Sequence, residues 1–502
     1  MENIEKLSST KSNILYPLLC VLLTVACAIV WTRGTRIIPH DPFRYLQYTK
    51  NYMDSWPTQV GTQWPHGYPF LASFLTEVGL SAYWGMMSVL VISLFLTYFI
   101  SFKILHQNIN VSQVKTIPLV GLSVSPIAFV HLARPQVEWL FSAFVIGTLF
   151  LLINWSNKWA IWGTCILVIF SFYVRYAGIF LIPVIGLYWL IRVYEERNFE
   201  NKVHAFIAIM LSGLVILTLI GLNLYQTGHM SGKSRPPGGG IIESPFHAAD
   251  LGWSFIGIAS PPRSGMQRVA EFLGGFESLL GLTVGWTILG IVLLLCARAF
   301  VKSKYSQVLK PAALLVSVYL VCMVAFRSMA GFVDLNAPRF ILPILFPLSL
   351  ITISQFEKGY YKTLLLVSIV IGICGTLVLG RGLSMEVYGN ITNSREVLGD
   401  RLTPNDTIVV NEKARPLATY YENHFRWRTA WRFEEPSTAS EVLRRLDGTD
   451  YAVFASRPKG RFKVKGYDPL DNPYRTICSN PEKYKVIEKL FFDETVCVLE
   501  IK

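Results

Sequence analysis

Apolar runs of near-constant length, separated by short polar loops, occupy the chain from residue 14 to residue 379. They fall at residues 14–31, 83–102, 116–131, 137–153, 159–174, 176–191, 203–224, 279–297, 311–326, 340–356 and 363–379. About 17–25 apolar residues cross a bilayer core as an α-helix, so the pattern predicts about 11 transmembrane helices, a few of them short. The fifth and sixth runs are parted only by Arg175. A charge at mid-bilayer is costly, so a tight hairpin with Arg175 at the surface is expected there. After residue 379 the rhythm changes. Thr407-Ile408-Val409-Val410 and Tyr451-Ala452-Val453-Phe454 read as strands, residues 414–423 and 440–446 as helices, and residues 484–501 as a strand pair turning near Asp493. The division is therefore a polytopic α-helical domain over 1–379 and a small α/β domain over 380–502. The first external loop covers 32–82. A Gly- and Pro-rich external loop covers 223–278, and loops of that length are commonly functional.

Composition agrees with that division. Hydrophobic side chains make up 52% of the 502 residues and charged ones only 16%, with a mean hydropathy of +0.41. A soluble protein carries about a quarter charged residues. The net charge of +13 does not mark a nucleic-acid binder, because no compact basic domain holds the excess. It lies instead in short loops on one side: Lys103 and Lys115; Lys158; Arg192, Arg197 and Lys202; Arg298, Lys302, Lys304 and Lys310; Lys358 and Lys362. Short-loop cations face the cytoplasm, which places the N-terminus inside and, after an odd number of spans, the tail outside. The first run lacks a small-residue cleavage site and reads as a retained helix. Six of the eight cysteines lie in apolar runs, where they act as small hydrophobes. Cys478 and Cys497 lie in the tail, where an oxidising compartment favours a bridge between them; two unpaired thiols remain the alternative. No CxxC or His/Cys cluster marks a metal site.

The first external loop breaks the charge rule with Arg33, Arg36, Arg44 and Lys50. Cations kept there against the bias suggest phosphate binding. The loop also holds Asp41-Pro42-Phe43-Arg44-Tyr45 and Trp64-Pro65-His66-Gly67-Tyr68-Pro69. Blander roles exist for each residue. Asp41 can pair with Arg36 or Arg44 and cap a short helix, and His66 can be a packed loop residue. Arg175 can snorkel from a helix end, and Arg339 can anchor a span at the interface. Arg134 and Glu138, four apart, can pair on one helix face.

These motifs resemble those of GT-C membrane glycosyltransferases, including the protein mannosyltransferase-like, aminoarabinose transferase-like and RgtA/B/C/D-like groups. Asp41-Pro42-Phe43-Arg44-Tyr45 resembles their first-loop signature, and Trp64–Pro69 their W-P-P-G-Y-P segment. Ala133-Arg134-Pro135-Gln136-Val137 lies where a Ser-Glu-Pro step is common. Arg175-Tyr176, Ser234-Arg235-Pro236-Pro237 and Pro338-Arg339-Phe340-Ile341-Leu342-Pro343 are similar to three further elements, in the same order. Pro42 stands where a second acid often follows the first. Trp64-Pro65-His66-Gly67 stands where the aminoarabinose transferases carry Glu-Lys-Pro-Pro.

The resemblance implies a multi-pass enzyme of a bacterial inner (plasma) membrane. It would move a sugar from a polyprenyl-phosphate donor to an acceptor hydroxyl on the extracytoplasmic face, with inversion. Asp41 would be the general base. Arg44, Arg235 and Arg339 would meet the phosphate, which arginine binds bidentately. Tyr45, His66, Tyr68, Arg134, Glu138 and Arg175 complete the expected substrate-binding set. The acceptor (glycan, lipid or protein) and any divalent metal stay open. Membrane lipids are expected partners and nucleic acid is not. A flippase or transporter of lipid-linked glycans is the rival reading, for which paired repeats and mid-span charges are the marks. A non-catalytic membrane scaffold is the other.

Overall fold

The computed structural model describes residues 2–32, 40–55, 65–108, 117–195, 199–230, 244–255, 277–302, 306–329, 338–355 and 397–398, and in the tail 401–403, 406–411, 414, 426–429, 438–456, 471–484, 487–492 and 496–501. Ten of the eleven expected apolar runs are found as helix among them; run 363–379 lies outside the described residues. The helices are α1 (Glu2–Thr32), α2 (His40–Ser55), α3 (Gly67–Glu77), α4 (Ala82–Asn108), α5 (Ile117–Ser123), α6 (Pro126–Ala133), α7 (Glu138–Ile153) and α8 (Lys158–Val174). They continue with α9 (Leu181–Glu195), α10 (Phe199–Thr227), α11 (Ser244–Ser254), α12 (Glu277–Lys302), α13 (Ser306–Met329) and α14 (Leu342–Gln355).

Among the described residues, five stretches are long and apolar enough to cross a membrane: Ala82–Gln107, Tyr176–Tyr194, Phe199–Thr227, Leu282–Val301 and Gln307–Met329. Shorter apolar helices accompany them at Ile14–Val30, Leu119–Ala133, Glu138–Ile153, Lys158–Val174 and Leu342–Gln355. Leu22, Leu214, Leu217, Ile291 and Leu294 are exposed, as lipid-facing residues of an integral membrane protein must be. One expected run, 116–131, is two helices. Ser125 is extended, its hydroxyl accepts from Ala128 N, and Pro126 opens the second helix. A serine N-cap followed by proline at the first helical position starts a helix afresh.

Fully buried aromatics then lock three helices. Tyr98 of α4, Trp139 of α7 and Phe346 of α14 have ring centroids 5.2–6.2 Å apart. Trp139 Nε1 donates to Ala128 O of α6 at 3.1 Å. The first residue of α7, Glu138, is thereby held beside the end of α6.

The tail contains a five-stranded sheet of order β2-β1-β3-β5-β4, built from β1 (Thr407–Val410), β2 (Arg426–Thr429), β3 (Tyr451–Ala455), β4 (Ile487–Phe492) and β5 (Val496–Ile501). β2, β1 and β3 are parallel, and β5 runs antiparallel to both β3 and β4. β1 and β3 are buried throughout, which is why they read as continuous apolar runs rather than alternating ones. α15 (Ala439–Arg445) and α16 (Asn472–Ser479) cover one face, with Val442, Tyr474 and Ile477 packed on Val409, Phe454 and Leu499. Of the expected helix at 414–423 all but Ala414 lies outside the described residues, as does the turn near Asp493. β2 and α16 were not expected.

Cys478 on α16 and Cys497 on β5 are joined as a disulfide, with Cα atoms 6.2 Å apart. It ties the covering helix to an inner strand. Closing a loop of this size contributes about 3 kcal/mol in the chain-entropy model. Cys497→Ala should therefore lower the urea midpoint of the tail's unfolding, and reductant should lower the wild type to match. An unchanged midpoint in both would show that the bridge contributes nothing.

Candidate functional site

The site begins where the chain leaves α8. Arg175 is extended (φ −153°, ψ 130°), its N–H closing α8 on Ser171 O at 2.8 Å. A 3-10 turn over Tyr176–Phe180 follows, and Gly178 N donates to Arg175 O at 2.8 Å. A Cβ at Gly178 would overlap Phe172 N and Ser171 C, so only glycine permits so close a return. From α10, Asn223 Nδ2 donates to the Tyr176 hydroxyl at 3.1 Å and steadies the same turn.

This break turns Arg175 inward. Its guanidinium meets Glu138 Oε1 at 2.6 Å, and the two side chains are only 13% and 4% exposed. The carboxylate sits in the first turn of α7, where the helix dipole favours negative charge. Arg175 also lies over the Phe141 ring at 5.9 Å and the Phe340 ring at 5.2 Å. Arg339 stands over the same Phe340 ring at 4.9 Å. His131 and Arg339 are within electrostatic reach of Glu138 as well, and Arg134 is within reach of His131. The His131 imidazole is hydrogen-bonded to Gln136 Oε1. Residues separated by two hundred positions thus meet at one buried carboxylate.

The first loop supplies an adjoining aromatic wall. Tyr45 of α2 packs edge-on against Tyr68 of α3 at 5.3 Å, and the Tyr68 hydroxyl donates to Met86 O at 3.2 Å. Tyr45 and Tyr319 of α13 both lie within electrostatic reach of Arg175. Gly67 seats α3 on the end of α8; a Cβ there would come within 2.7 Å of Val174 Cγ2 and 2.9 Å of Tyr173 O. The His66 ring is set among Tyr48, Tyr52 and Tyr173, with centroids 5.8, 6.1 and 6.3 Å away. Burial pushes its imidazole down to about 4, so His66 is neutral near pH 7 and is no phosphate cation. Arg44 donates to Gln47 Oε1 at 2.8 Å along α2.

Of the expected residues, the structure brings together Glu138, Arg175, Arg339, Arg134, Tyr45 and Tyr68. Asp41 is in the first turn of α2, but its side chain lies outside the described residues, as does Arg235 entirely. One expectation is corrected. Arg134 and Glu138 do not share a helix face: Arg134 is the extended cap of α6 and Glu138 opens α7, so the four-residue spacing is not helical and Glu138 takes Arg175 instead. Arg175 sits at a break between helices, as expected, with its side chain largely buried in an ion pair. His131, Gln136, Phe340 and Tyr319 were missed. His131 and Gln136 flank Arg134-Pro135, a polar interruption that signals the site; Tyr319 has no such mark within its apolar run. Among the described residues no three His, Cys, Asp or Glu side chains gather as a metal site.

No protein-family model matches the sequence, and neither does any curated protein. Solved structures do match. ArnT from Cupriavidus metallidurans bound to undecaprenyl phosphate superposes with a TM-score of 0.57 at 11% identity, covering 95% of this chain and 97% of that one. Its apo state gives 0.56 at 11% identity with the same coverage. The archaeal oligosaccharyltransferase AglB from Archaeoglobus fulgidus, in complex with an inhibitory peptide and a dolichol-phosphate, gives 0.48 at 10% identity over 89% of this chain and 70% of that one. The likeness to ArnT shows that the chain has the GT-C fold.

Proposed function

We propose that this GT-C-fold chain is a membrane glycosyltransferase that takes its sugar from a polyprenyl-phosphate donor. The observation that carries the reading is the buried Glu138–Arg175 pair with Arg339 on the same Phe340 ring. Burying cations at helix ends in a membrane protein is expensive and marks a functional site. Guanidinium groups gathered about one ring suit a phosphate better than any neutral ligand. The ArnT structure of the same fold holds undecaprenyl phosphate, which agrees in kind.

In this reaction the acceptor oxygen attacks the anomeric carbon, its proton passes to Asp41, and the sugar–phosphate bond breaks. The leaving lipid phosphate takes up the negative charge. Arg175, Arg339 and Arg235 neutralise it as it develops, and such placed charge is the larger part of catalysis in many enzymes. Glu138 holds Arg175 in position. The acceptor approaches from the external side, and Tyr45 and Tyr68 wall the site.

Purified protein in nanodiscs, given a panel of polyprenyl-phosphate hexoses and pentoses with lipid, glycan and peptide acceptors, should transfer at least one sugar. Arg339→Ala should weaken donor use about 10–100-fold, and Arg339→Lys should restore only part because the bidentate fork is lost. Vectorial movement of an intact lipid-linked glycan without bond cleavage would favour the flippase instead. The reading also places the N-terminus in the cytoplasm and the tail outside. Reporters fused after Lys304 and at Lys502 should then report opposite compartments; the same compartment for both would overturn this topology.

A further inference from the structure

Glu138 Oε2 and the Tyr319 hydroxyl are buried in this cluster and have no hydrogen-bond partner among the described residues. Tyr319 is fully buried on α13. Its ring lies 5.7 Å from Phe180 and 6.5 Å from Phe141, one turn along α7 from Glu138 and under the Arg175 guanidinium. Tyr319 and Glu138 are within electrostatic reach of each other. A direct bond from the phenol to the carboxylate would satisfy both atoms, and they do not make it.

The chemistry of the missing partner follows from the two atoms. Ionised Glu138 only accepts, while a phenol with nothing to donate to needs an acceptor. A phosphodiester oxygen would take the Tyr319 proton but offers none to Glu138. An ammonium would donate to Glu138 but could not accept from Tyr319. A hydroxyl does both through one oxygen.

We propose that Tyr319 contacts the substrate, its hydroxyl and Glu138 Oε2 together holding one ring hydroxyl of the sugar carried by the lipid donor. The inference rests on the glycosyltransferase reading and adds to it a determinant of which sugar is used. Sites built to bond a substrate hydroxyl reject analogues that lack it far more strongly than apolar pockets reject an extra group.

The test uses the full-length protein in nanodiscs with undecaprenyl-phosphate sugars. Once the panel has identified an accepted sugar, its monodeoxy analogues are compared in wild type, Tyr319→Phe and Glu138→Gln. Removal of one particular hydroxyl should lower wild-type kcat/KM by about 10²-fold or more. Tyr319→Phe should lower kcat/KM for the intact donor by about 10–100-fold and lose further discrimination against that same analogue. Its binding of sugar-free undecaprenyl phosphate and its thermal stability should match wild type. Equal loss with every analogue, or none, would mean that only a structural water fills the gap, and would overturn this inference while leaving the function standing. Failure of wild type to bind any lipid-phosphate sugar would overturn both.

Discussion

Glu138→Ala should cost about 3–5 kcal/mol of folding stability, because it leaves the largely buried Arg175 guanidinium with its partner gone. The carboxylate is 4% exposed and bonded at 2.6 Å, so water cannot replace it in place. Arg175→Ala should cost a similar amount by leaving the acid alone. The double variant should cost less than the sum, since removing both charges ends the desolvation problem; coupled pairs in contact depart from additivity in this way. Unfolding titrations in SDS on detergent-solubilised protein supply the four corners of the cycle. Strictly additive losses would show that the pair is not energetically coupled.

Asp41→Asn should lower transfer by about 10²–10⁴-fold with little change in expression or melting temperature. The amide keeps the shape of the carboxylate and its place in the first turn of α2, but it cannot take the acceptor's proton. The loss should appear in kcat, with donor KM nearly unchanged, because the proposed reading assigns donor binding to the arginines. A variant that turns over near the wild-type rate would remove Asp41 as the base and shift attention to Glu138. The two experiments separate the proposed roles: loss of Glu138 should be read in stability, loss of Asp41 in turnover.

How much of this was legible beforehand depends on the range of the interaction concerned. Each apolar helix is a local property, and the runs at 83–102, 137–153 and 159–174 reappear almost residue for residue in α4, α7 and α8. The break at Arg175 was readable because a charge interrupts an apolar stretch. Its partner was not, since Glu138 lies 37 residues away and only the packing of α7 on α8 brings them together. The nearer candidate, Arg134, fails because Pro135 parts two helices that the four-residue spacing treats as one. β1 was plain from its Ile and Val residues and β3 from its apolar run Tyr451-Ala452-Val453-Phe454. β2 was hidden because Arg426-Trp427-Arg428-Thr429 lacks an apolar run and earns its place only by pairing with β1. Tyr319 looked like any aromatic in a membrane helix until its neighbours were known.

The strand order of the tail has a bearing on how the domain is assembled. β5 is the last of the five to be synthesised, yet it is an inner strand, paired with β3 on one side and β4 on the other. Before Val496 to Ile501 have been synthesised, β3 has an open edge and β4 has no strand to join. The sheet cannot be completed piecemeal as the chain emerges. Any chaperone that guards nascent chains would find its client here for the whole interval between the appearance of β1 and that of β5, a stretch of some ninety residues in which buried Val and Ile surfaces stand uncovered. Proteolytic quality control would accordingly act on chains shortened at β5 far more severely than on chains altered in the helices that cover the sheet.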